Sequence, residues 1–200
     1  MKTLIRNVKL FDGTALAPRP MDVLFDESGI LAVKEAGAAP AAADAVVDGT
    51  GKTLTPGLID GHVHLGSLSM SSPTDPKGHT AAGALIAAQV QDLRRWGITA
   101  VRNCGTGVNA DLVVRDMIGA RIVGCGRCIC ITGGHAWPMG IETDTVDETR
   151  KAARLQLREG ADFVKLMATG GMGTKGSVPN APQLTEAQMR AAAEEAASVG

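Results

Sequence analysis

Apolar positions follow two different spacings along the chain, and the change falls near residue 55. Before it, short alternating runs such as Val23–Phe25 and Ile30–Val33 are separated by turn-forming residues. These two runs flank Asp26–Gly29 and predict a β-hairpin. After residue 55, short apolar runs alternate with stretches whose apolar residues recur every three or four positions, as in amphipathic helices. The sequence therefore predicts a small β module over 1–55 and an α/β region over 56–200.

Four successive strand–helix units are predicted in the α/β region. The strands are predicted at 58–65, 98–101, 121–131 and 161–169, and the helices at 80–96, 109–119, 145–160 and 185–200. Capping boxes at Thr145 and Thr185 support the starts of the last two helices. Each strand–helix–strand connection is a crossover, so the strands form a parallel sheet. A closed (β/α)₈ barrel has about eight such units over about 250 residues, so four units predict the N-terminal half of a TIM barrel.

Two histidines separated by one residue lie in the first predicted strand of this barrel. Alternate side chains of a strand share a face, so His62 and His64 point the same way, roughly 6.5–7 Å apart along the backbone. Two imidazoles at this spacing can tilt onto one metal ion, at about 2.0–2.1 Å per zinc–nitrogen bond. Asp60 lies on the same face, either supporting a metal ligand or as a hydrogen-bonding core residue. The alternative is a core strand with two hydrogen-bonded histidines; because each would need buried polar partners, metal binding is favoured.

A single lysine, Lys165, lies inside the apolar strand predicted at 161–169 and shares a face with Phe163 and Met167. Burial disfavours the charged ammonium and populates the neutral amine. A neutral amine can add carbon dioxide to form a carbamate, an anionic ligand with two oxygen atoms that can bridge two metal ions. The alternative is a lysine that reaches the barrel mouth or pairs with a carboxylate. The presence of the two histidines favours the carbamate.

The motifs of two strands resemble those of a known family. Residues 56–64, PGLIDGHVH, and 160–165, GADFVK, resemble the strand 1 and strand 4 motifs of the amidohydrolase superfamily. Residues 132–136, TGGHA, and 168–171, ATGG, are similar to its imidazolonepropionase-related group, which includes Xaa-Pro dipeptidases and N-acyl amino-acid hydrolases. The resemblance spans nearly the whole chain. It implies a distorted (β/α)₈ barrel that carries a small β-sandwich, here incomplete over 1–55.

The resemblance also implies a metal site. Two divalent ions, with Zn²⁺ favoured, would be held by His62, His64 and a carboxylated Lys165. In the family, two further histidines on strands 5 and 6 and a catalytic aspartate on strand 8 complete the site, and none of these can be matched in this chain. Asn103 replaces an aspartate that many relatives have, which is expected to alter local hydrogen bonding rather than chemistry. His135 follows strand 3 at the barrel face where active sites form; it either binds substrate or is exposed and idle.

The implied function is hydrolysis of an amide or peptide C–N bond, in a Xaa-Pro dipeptide or an N-acyl amino acid, by a metal-bridging hydroxide. Two alternatives stay open. One is a non-catalytic half-barrel or a subunit that needs a complementary chain. The other is a cyclic-amide hydrolase or deaminase; adenosine-type deaminases use one metal ion and do not need Lys165 as a ligand. The isolated chain is expected to be inactive or very weak.

The expected partners are a small amide or dipeptide substrate and the remaining half of the barrel, on the same or a separate chain. A homo-oligomer is also expected, because soluble proteins avoid unpaired hydrophobic sheet edges. The net charge of −1 provides no basic face for nucleic acid or membrane. Aromatic residues make up 2% of the chain, too few for stacking on bases.

Two further patterns bear on the location and the redox state. Arg6, Asn7 and Lys9 interrupt the N-terminal apolar run, and no apolar run approaches the ~20 residues of a membrane span. A cytoplasmic location is therefore expected. The four cysteines include a C-x-x-C pair, Cys125 and Cys128, which can indicate a zinc knuckle or a redox pair. Because this pair falls in a predicted buried strand and has no second copy, reduced core thiols are favoured.

Overall fold

The computed structural model of this 200-residue chain describes residues 1–38, 42–66 and 76–199. The predicted helix end at Gly200 lies outside these residues. The chain separates into two compact units, Met1–Gly57 and Leu58–Gly200. Their elements, in chain order, are β1 (Thr3–Leu10), β2 (Met21–Asp26), β3 (Gly29–Glu35), β4 (Ala45–Asp48), β5 (Thr53–Leu54), β6 (Leu58–Val63), α1 (Pro76–Arg95), β7 (Ile98–Asn103), α2 (Ala110–Ile118), β8 (Arg121–Gly124), β9 (Ile129–Cys130), β10 (Ile141–Glu142), α3 (Val146–Arg158) and α4 (Glu186–Ala197).

The N-terminal unit is one bent sheet in the order β3-β2-β1-β4, with β5 also beside β1. Strands β2 and β3 pair antiparallel across the predicted turn, which confirms the hairpin. Strand β1 bends at Asn7, whose φ of 54° is left-handed. The Asp22 carboxylate accepts the Asn7 N–H at 2.9 Å, so the bend keeps its backbone donor paired. Within the described part of this unit, β1 pairs with β4 through Thr3–Arg6 and with β5 through Lys9–Leu10, and the sandwich stays a prediction.

The second unit contains the predicted parallel sheet. Strands β6, β7 and β8 lie side by side and all pair in parallel. Apolar side chains from α1 and α2 pack on β7 and β8, as expected for helices that cover one face of such a sheet. The buried members of this core are Leu65, Ile86, Val90, Val101, Val114, Ala120 and Ile122. The mixed α/β fold and the parallel pairing of the first three predicted strands of this unit are confirmed.

The prediction of one continuous strand over 121–131 is wrong, because the strand is interrupted in its middle. Strand β8 ends at Gly124, and a turn at Gly126, with φ of 62°, precedes β9. The backbone N–H of Arg127 donates to the side-chain oxygens of Asn109 at 3.1 Å and Gln156 at 2.9 Å. The Arg127 N–H is thus paired with side chains from α3 and from the loop before α2 instead of with a neighbouring strand. The spacing of apolar residues within the segment cannot predict such partners.

The strand predicted over 161–169 is only partly formed. Its backbone runs parallel to β9, with hydrogen bonds from Ile129 N–H to the Lys165 carbonyl and from Met167 N–H to the Ile129 carbonyl, both 2.8 Å. These bonds make a bridge rather than a continuous ladder. Lys165 is half-buried, which corrects the expectation that this lysine is buried.

The predicted helix signals are largely confirmed. Thr145 with Glu148, and Thr185 with Gln188, form reciprocal capping boxes at the starts of α3 and α4. Gly119, with φ of 59°, ends α2 as the left-handed glycine expected at a helix C-terminus. Over residues 1–38, 42–66 and 76–199, no helix has both the length and the apolar character needed to cross a membrane.

An ion-pair network between α3 and α4 predicts a pH-dependent contribution to stability. Glu195, 8% exposed, accepts from Arg154 at 2.6 Å and Arg150 at 2.5 Å. Arg154 and then Arg150 lower the pKa of Glu195 from 4.5 to about 2. A carboxyl group whose pKa is lower in the folded than in the unfolded protein stabilises the fold at any pH above its unfolded-state pKa. This stabilisation is lost as the pH falls toward its folded-state pKa. We expect Glu195→Gln to lower the free energy of unfolding at neutral pH, and the deficit to shrink as the pH falls from about 4.5 to about 2.

Urea denaturation of both proteins across this range measures the deficit. Glu194→Gln is the matched control, because the Glu194 side chain is 55% exposed. Within the described residues, its one ion pair is with Arg150. A deficit for Glu195→Gln that stayed constant with pH would contradict the ionic interpretation.

Candidate metal centre and substrate cavity

The two histidines of the first barrel strand lie together. Strand β6 ends at Val63, so His62 is in the strand and His64 directly follows it. Their ring centres are 5.4 Å apart, and the ring planes are tilted by 56°. Two imidazoles on one tetrahedral zinc ion, with bonds of about 2.0–2.1 Å, have ring centres roughly 5 Å apart. The observed separation therefore suits two ligands of one ion.

His64 has one ring nitrogen engaged by the neighbouring strand end. Its Nδ1 lies 3.1 Å from the carbonyl oxygen of Gly105. A carbonyl only accepts, so Nδ1 carries a proton, and in the neutral form of the ring Nε2 keeps its lone pair. Metal-ligating histidines usually donate their second ring N–H in this way, which fixes the ring orientation. In its neutral form His64 can therefore bind a metal ion through Nε2.

Positive charge collects around His62. The pKa of His62 is lowered, first by partial loss of solvent and then by the nearby charges of Lys165, His64 and Arg102. The Arg102 guanidinium lies 3.9 Å from the ring centre of Phe163, a cation–π contact that links strand β7 to the Lys165 segment. Lys165 is therefore near enough to His62 for its charge to act on the pKa of that ring, and its role as a metal ligand stays a prediction.

Asp60 contacts the backbone rather than a ring. Its Oδ1 accepts the backbone N–H of His62 at 3.1 Å. Its charge is the smallest of the named influences on the pKa of His62 and acts in the opposite direction to the others. This contact orients the strand end, and a role for Asp60 behind a metal ligand stays a prediction.

His135 lies in a cavity that also contains His64. Thr174 Oγ1 is 3.2 Å from His135 Nδ1 and accepts the backbone N–H of Ala136 at 2.9 Å. The cavity has a volume of about 580 Å³, and its wall combines apolar side chains with polar ends. Its lining residues are His64, His135, Ala136, Trp137, Pro138, Met139, Met167, Gly173, Thr174 and Lys175. His62 and Lys165 are not part of this lining.

The glycine pair that follows the Lys165 segment lets the chain approach His135 closely. A Cβ atom built at Gly171 would lie 2.5 Å from His135 Nε2. No real Cβ comes this near to a ring atom, so a side chain at position 171 would displace the imidazole. The second glycine of the ATGG motif, Gly171, therefore leaves the space that the His135 ring occupies.

Sequence reasoning missed one polar residue next to this site. Asp111 is fully buried, and its Oδ2 accepts the Asn103 side-chain N–H at 2.8 Å. The Asn103 carboxamide oxygen accepts the backbone N–H of Leu65 at 2.8 Å. Burial raises the pKa of Asp111 above its ordinary value. The only signal in the sequence is an acidic residue in the first turn of α2, which is an ordinary position for a helix.

The four cysteines do not form a metal site with one another. Cys104, Cys125, Cys128 and Cys130 are free and fully buried, as expected for core thiols. Burial raises the pKa of Cys128 to about 11 and that of Cys130 to about 12. Across the part of the chain that the structure describes, no three His, Cys, Asp or Glu side chains are placed to hold an ion. A metal centre at His62 and His64 therefore needs Lys165 or groups from outside these residues.

A larger cavity lies among the helices. It has a volume of about 920 Å³ among α1, α2 and α3, and its lining includes none of the predicted site residues. Active sites of parallel barrels form at the carboxyl ends of the strands, not among the outer helices. We therefore place the candidate site at the smaller cavity.

Parallel strands whose carboxyl ends lie beside a cavity have the arrangement of α/β barrel enzymes, in which active sites form at that end of the strands. The amidohydrolase family model matches residues 53–200. The chain belongs to the amidohydrolase family.

Named relatives agree with this membership. Ochratoxinase of Aspergillus niger is 28% identical over 180 residues, covering 72% of this chain and 37% of that enzyme. A crystal structure of a Xaa-Pro dipeptidase with methionine bound in its active site is 26% identical, with a TM-score of 0.86 over 100% of this chain and 55% of that one. A prolidase complexed with N-methylphosphonate-L-proline has a TM-score of 0.81 at 24% identity and shares the fold over 54% of its chain. The chain thus spans 37% of its curated relative and about half of the solved structures.

Proposed function

We propose that this chain forms the metal-binding half of a hydrolase that cleaves an amide or peptide C–N bond. Two divalent ions, with Zn²⁺ favoured, would be held by His62, His64 and a carboxylated Lys165. The observation that carries the proposal is the histidine pair, with ring centres 5.4 Å apart and His64 Nδ1 engaged by the Gly105 carbonyl. When bound, such a metal pair lowers the pKa of a water molecule and polarises the amide carbonyl.

The charge around His62 supports the carbamate on Lys165. As an ammonium, Lys165 adds to the positive charge of Arg102 near His62, and together they would repel a metal cation. The neutral amine attacks the carbon of CO₂, a new N–C bond forms, and one proton leaves to solvent. The product replaces a positive charge with a negative one. Carboxylation would therefore convert a cation-repelling cluster into a cation-binding one.

The cavity supports a substrate with an apolar part and a negative charge. Trp137, Met139 and Met167 supply apolar wall, and Lys175 contributes an ammonium group to the lining. A Xaa-Pro dipeptide or an N-acyl amino acid has both an apolar group and a free carboxylate near its scissile amide. His135 is also part of the lining and would supply a ring N–H or lone pair to the substrate. These features fit the dipeptide and N-acyl amino-acid classes.

The rest of the barrel would come from the same or a separate chain. The solved relatives are about twice as long as this chain, and Ile59 on strand β6 is 74% exposed. Burying apolar surface of this kind stabilises an assembly. The alternative, a non-catalytic half-barrel, rests on the same observation. A cytoplasmic location, a homo-oligomer, and the boundaries at 1–55 and 56–200 remain predictions from the sequence.

The proposal is tested by a metal analysis joined to a dipeptide-library assay, first with this chain alone and then with a complementary half-barrel. Hydrolysis is expected only in the assembled protein. Robust turnover by the isolated chain would contradict the need for a partner, and metal-loaded assemblies without hydrolysis would favour the non-catalytic alternative. A single bound metal with unmodified Lys165 would favour a deaminase.

Lys175 is expected to select substrates with a free carboxylate. In the assembled hydrolase, Lys175→Met should raise the KM for free dipeptides by roughly 10-fold or more, since hydrogen bonds to charged groups contribute about 1.5–3 kcal/mol. The same dipeptides with an amidated C-terminus should show no change. Lys151→Met, at an exposed position of α3, is the matched control. An equal rise for both substrates would assign Lys175 to loop structure instead.

A further inference from the structure

A buried chain of hydrogen bonds links helix α2 to the peptide that follows His64. Asp111, in the first turn of α2, accepts from Asn103 Nδ2 at 2.8 Å, and Asn103 Oδ1 accepts the Leu65 N–H at 2.8 Å. Asn103 and Asp111 are both 0% exposed. The N–H that Leu65 donates to Asn103 belongs to the peptide group that joins His64 to Leu65. Fixing that peptide restricts the backbone rotation that aims the His64 side chain.

The end of β7 holds His64 from a second direction. The Cys104 N–H donates to the Val63 carbonyl at 2.8 Å, and the Gly105 carbonyl accepts from His64 Nδ1 at 3.1 Å. Three consecutive residues, 103–105, thus contact three consecutive residues, 63–65. Among the side chains in these contacts, the Asn103 carboxamide could rotate by half a turn, which would present its NH₂ group to the Leu65 N–H.

Asp111 removes this freedom. A carboxylate only accepts hydrogen bonds, so it selects the Asn103 orientation in which Nδ2 faces α2 and Oδ1 faces Leu65. Asp111 itself is closely confined, because a Cβ at Gly124 would lie 2.7 Å from its Oδ2. Its Oδ1 also lies 3.4 Å from Thr106 Oγ1. Keeping a carboxylate in this fully buried position is costly, as its raised pKa shows.

We infer that Asp111 and Asn103 are positioning residues for His64, acting through the Leu65 peptide rather than by touching a metal ion or substrate. This inference rests on the metal centre proposed above. Outer residues that orient metal ligands typically change metal affinity by about 10–100-fold when replaced. The pair lies one step further from the ligand ring, so the lower end of that range applies.

The test exchanges the two side chains. Asn103→Asp alone brings two carboxylates into contact and should lower the Zn²⁺ affinity of the 200-residue chain about 10-fold. Asp111→Leu should do the same by releasing the Asn103 carboxamide. Adding Asp111→Asn to Asn103→Asp reverses the direction of the hydrogen bond but keeps both contacts, because the carboxylate now at 103 accepts from the amide at 111 and from Leu65. The double variant should therefore recover the affinity.

Two further readouts separate positioning from folding. In the metal-free chain, hydrogen exchange of the Leu65 amide should be faster in Asn103→Asp and in Asp111→Leu and should slow again in the double variant. With Co²⁺ in place of Zn²⁺, the visible absorption of the single variants should shift while that of the double variant returns. Thr149→Val is the control, since Thr149 is also 0% exposed and hydrogen-bonded, but to Thr143 and Gln188 away from the site.

The outcomes distinguish this inference from the proposed function. If His64→Ala leaves Zn²⁺ affinity unchanged, the metal centre itself is wrong. If His64→Ala abolishes binding while folded Asn103→Asp or Asp111→Leu binds as tightly as the parent, the positioning role is overturned. It is equally overturned if Thr149→Val lowers affinity as much as the single variants do, or if the double variant folds without recovering affinity.

Discussion

Replacing His64 with alanine is expected to lower the Zn²⁺ affinity of the chain by more than about 100-fold, because the loss of a ligand exceeds the largest effect of an outer residue. The same variant should have no measurable hydrolysis in the assembled protein. The physical reason is that His64 Nε2 is the one ring nitrogen left free by the bond from Nδ1 to the Gly105 carbonyl. Isothermal titration with Zn²⁺ measures the first effect.

The chain offers two matched histidine controls for this prediction. His79 lines the cavity among the outer helices, and His135 has Nδ1 at 3.2 Å from Thr174. His79→Ala should leave both Zn²⁺ affinity and hydrolysis unchanged, whereas His135→Ala should retain Zn²⁺ and raise the KM for substrate. Equal Zn²⁺ affinity in His64→Ala, His79→Ala and the parent chain would rule out the proposed centre.

Replacing Lys165 is expected to remove one of the two metal ions. In the assembled hydrolase, Lys165→Met should lower the metal content from about two ions to about one and abolish hydrolysis, because the proposed carbamate on Lys165 would supply a metal ligand that methionine lacks. In the parent protein, a mass increase of one CO₂ on Lys165 should appear in bicarbonate and disappear after CO₂ is removed. Metal analysis and intact-mass measurement in the two buffers check both effects.

Lys165→Arg separates carbamate formation from charge. Arginine keeps a positive side chain and is always charged in proteins, so it provides no neutral amine to add CO₂. It should therefore lose the second metal ion as completely as Lys165→Met does. A fully active Lys165→Arg variant would show that this residue acts as a cation, for example toward the substrate carboxylate, and that the carbamate is not needed.

The fold could be predicted in part from the sequence because some signals are local. The hairpin between β2 and β3 follows from a turn between two alternating apolar runs. The starts of α3 and α4 follow from Thr145 and Thr185, whose side chains bond to backbone groups only three residues away. In contrast, the break after Gly124 depends on Asn109 and Gln156, which reach the Arg127 N–H from other elements. The spacing of residues within an apolar run cannot predict hydrogen-bond partners that are distant in the sequence.

The candidate site divides in the same way. The alternation of residues along strand β6 by itself predicted that His62 and His64 share a face, and the motif around Lys165 by itself singled out this lysine as a candidate ligand. Only the tertiary structure decided that Lys165 is half-buried and lies near His62, that His135 shares a cavity with His64, and that Asp111 reaches Leu65 through Asn103. The physical reason is the range of each interaction: side-chain direction along a strand is fixed by its own backbone, whereas burial and hydrogen-bond partners are fixed by whichever segments fold against it.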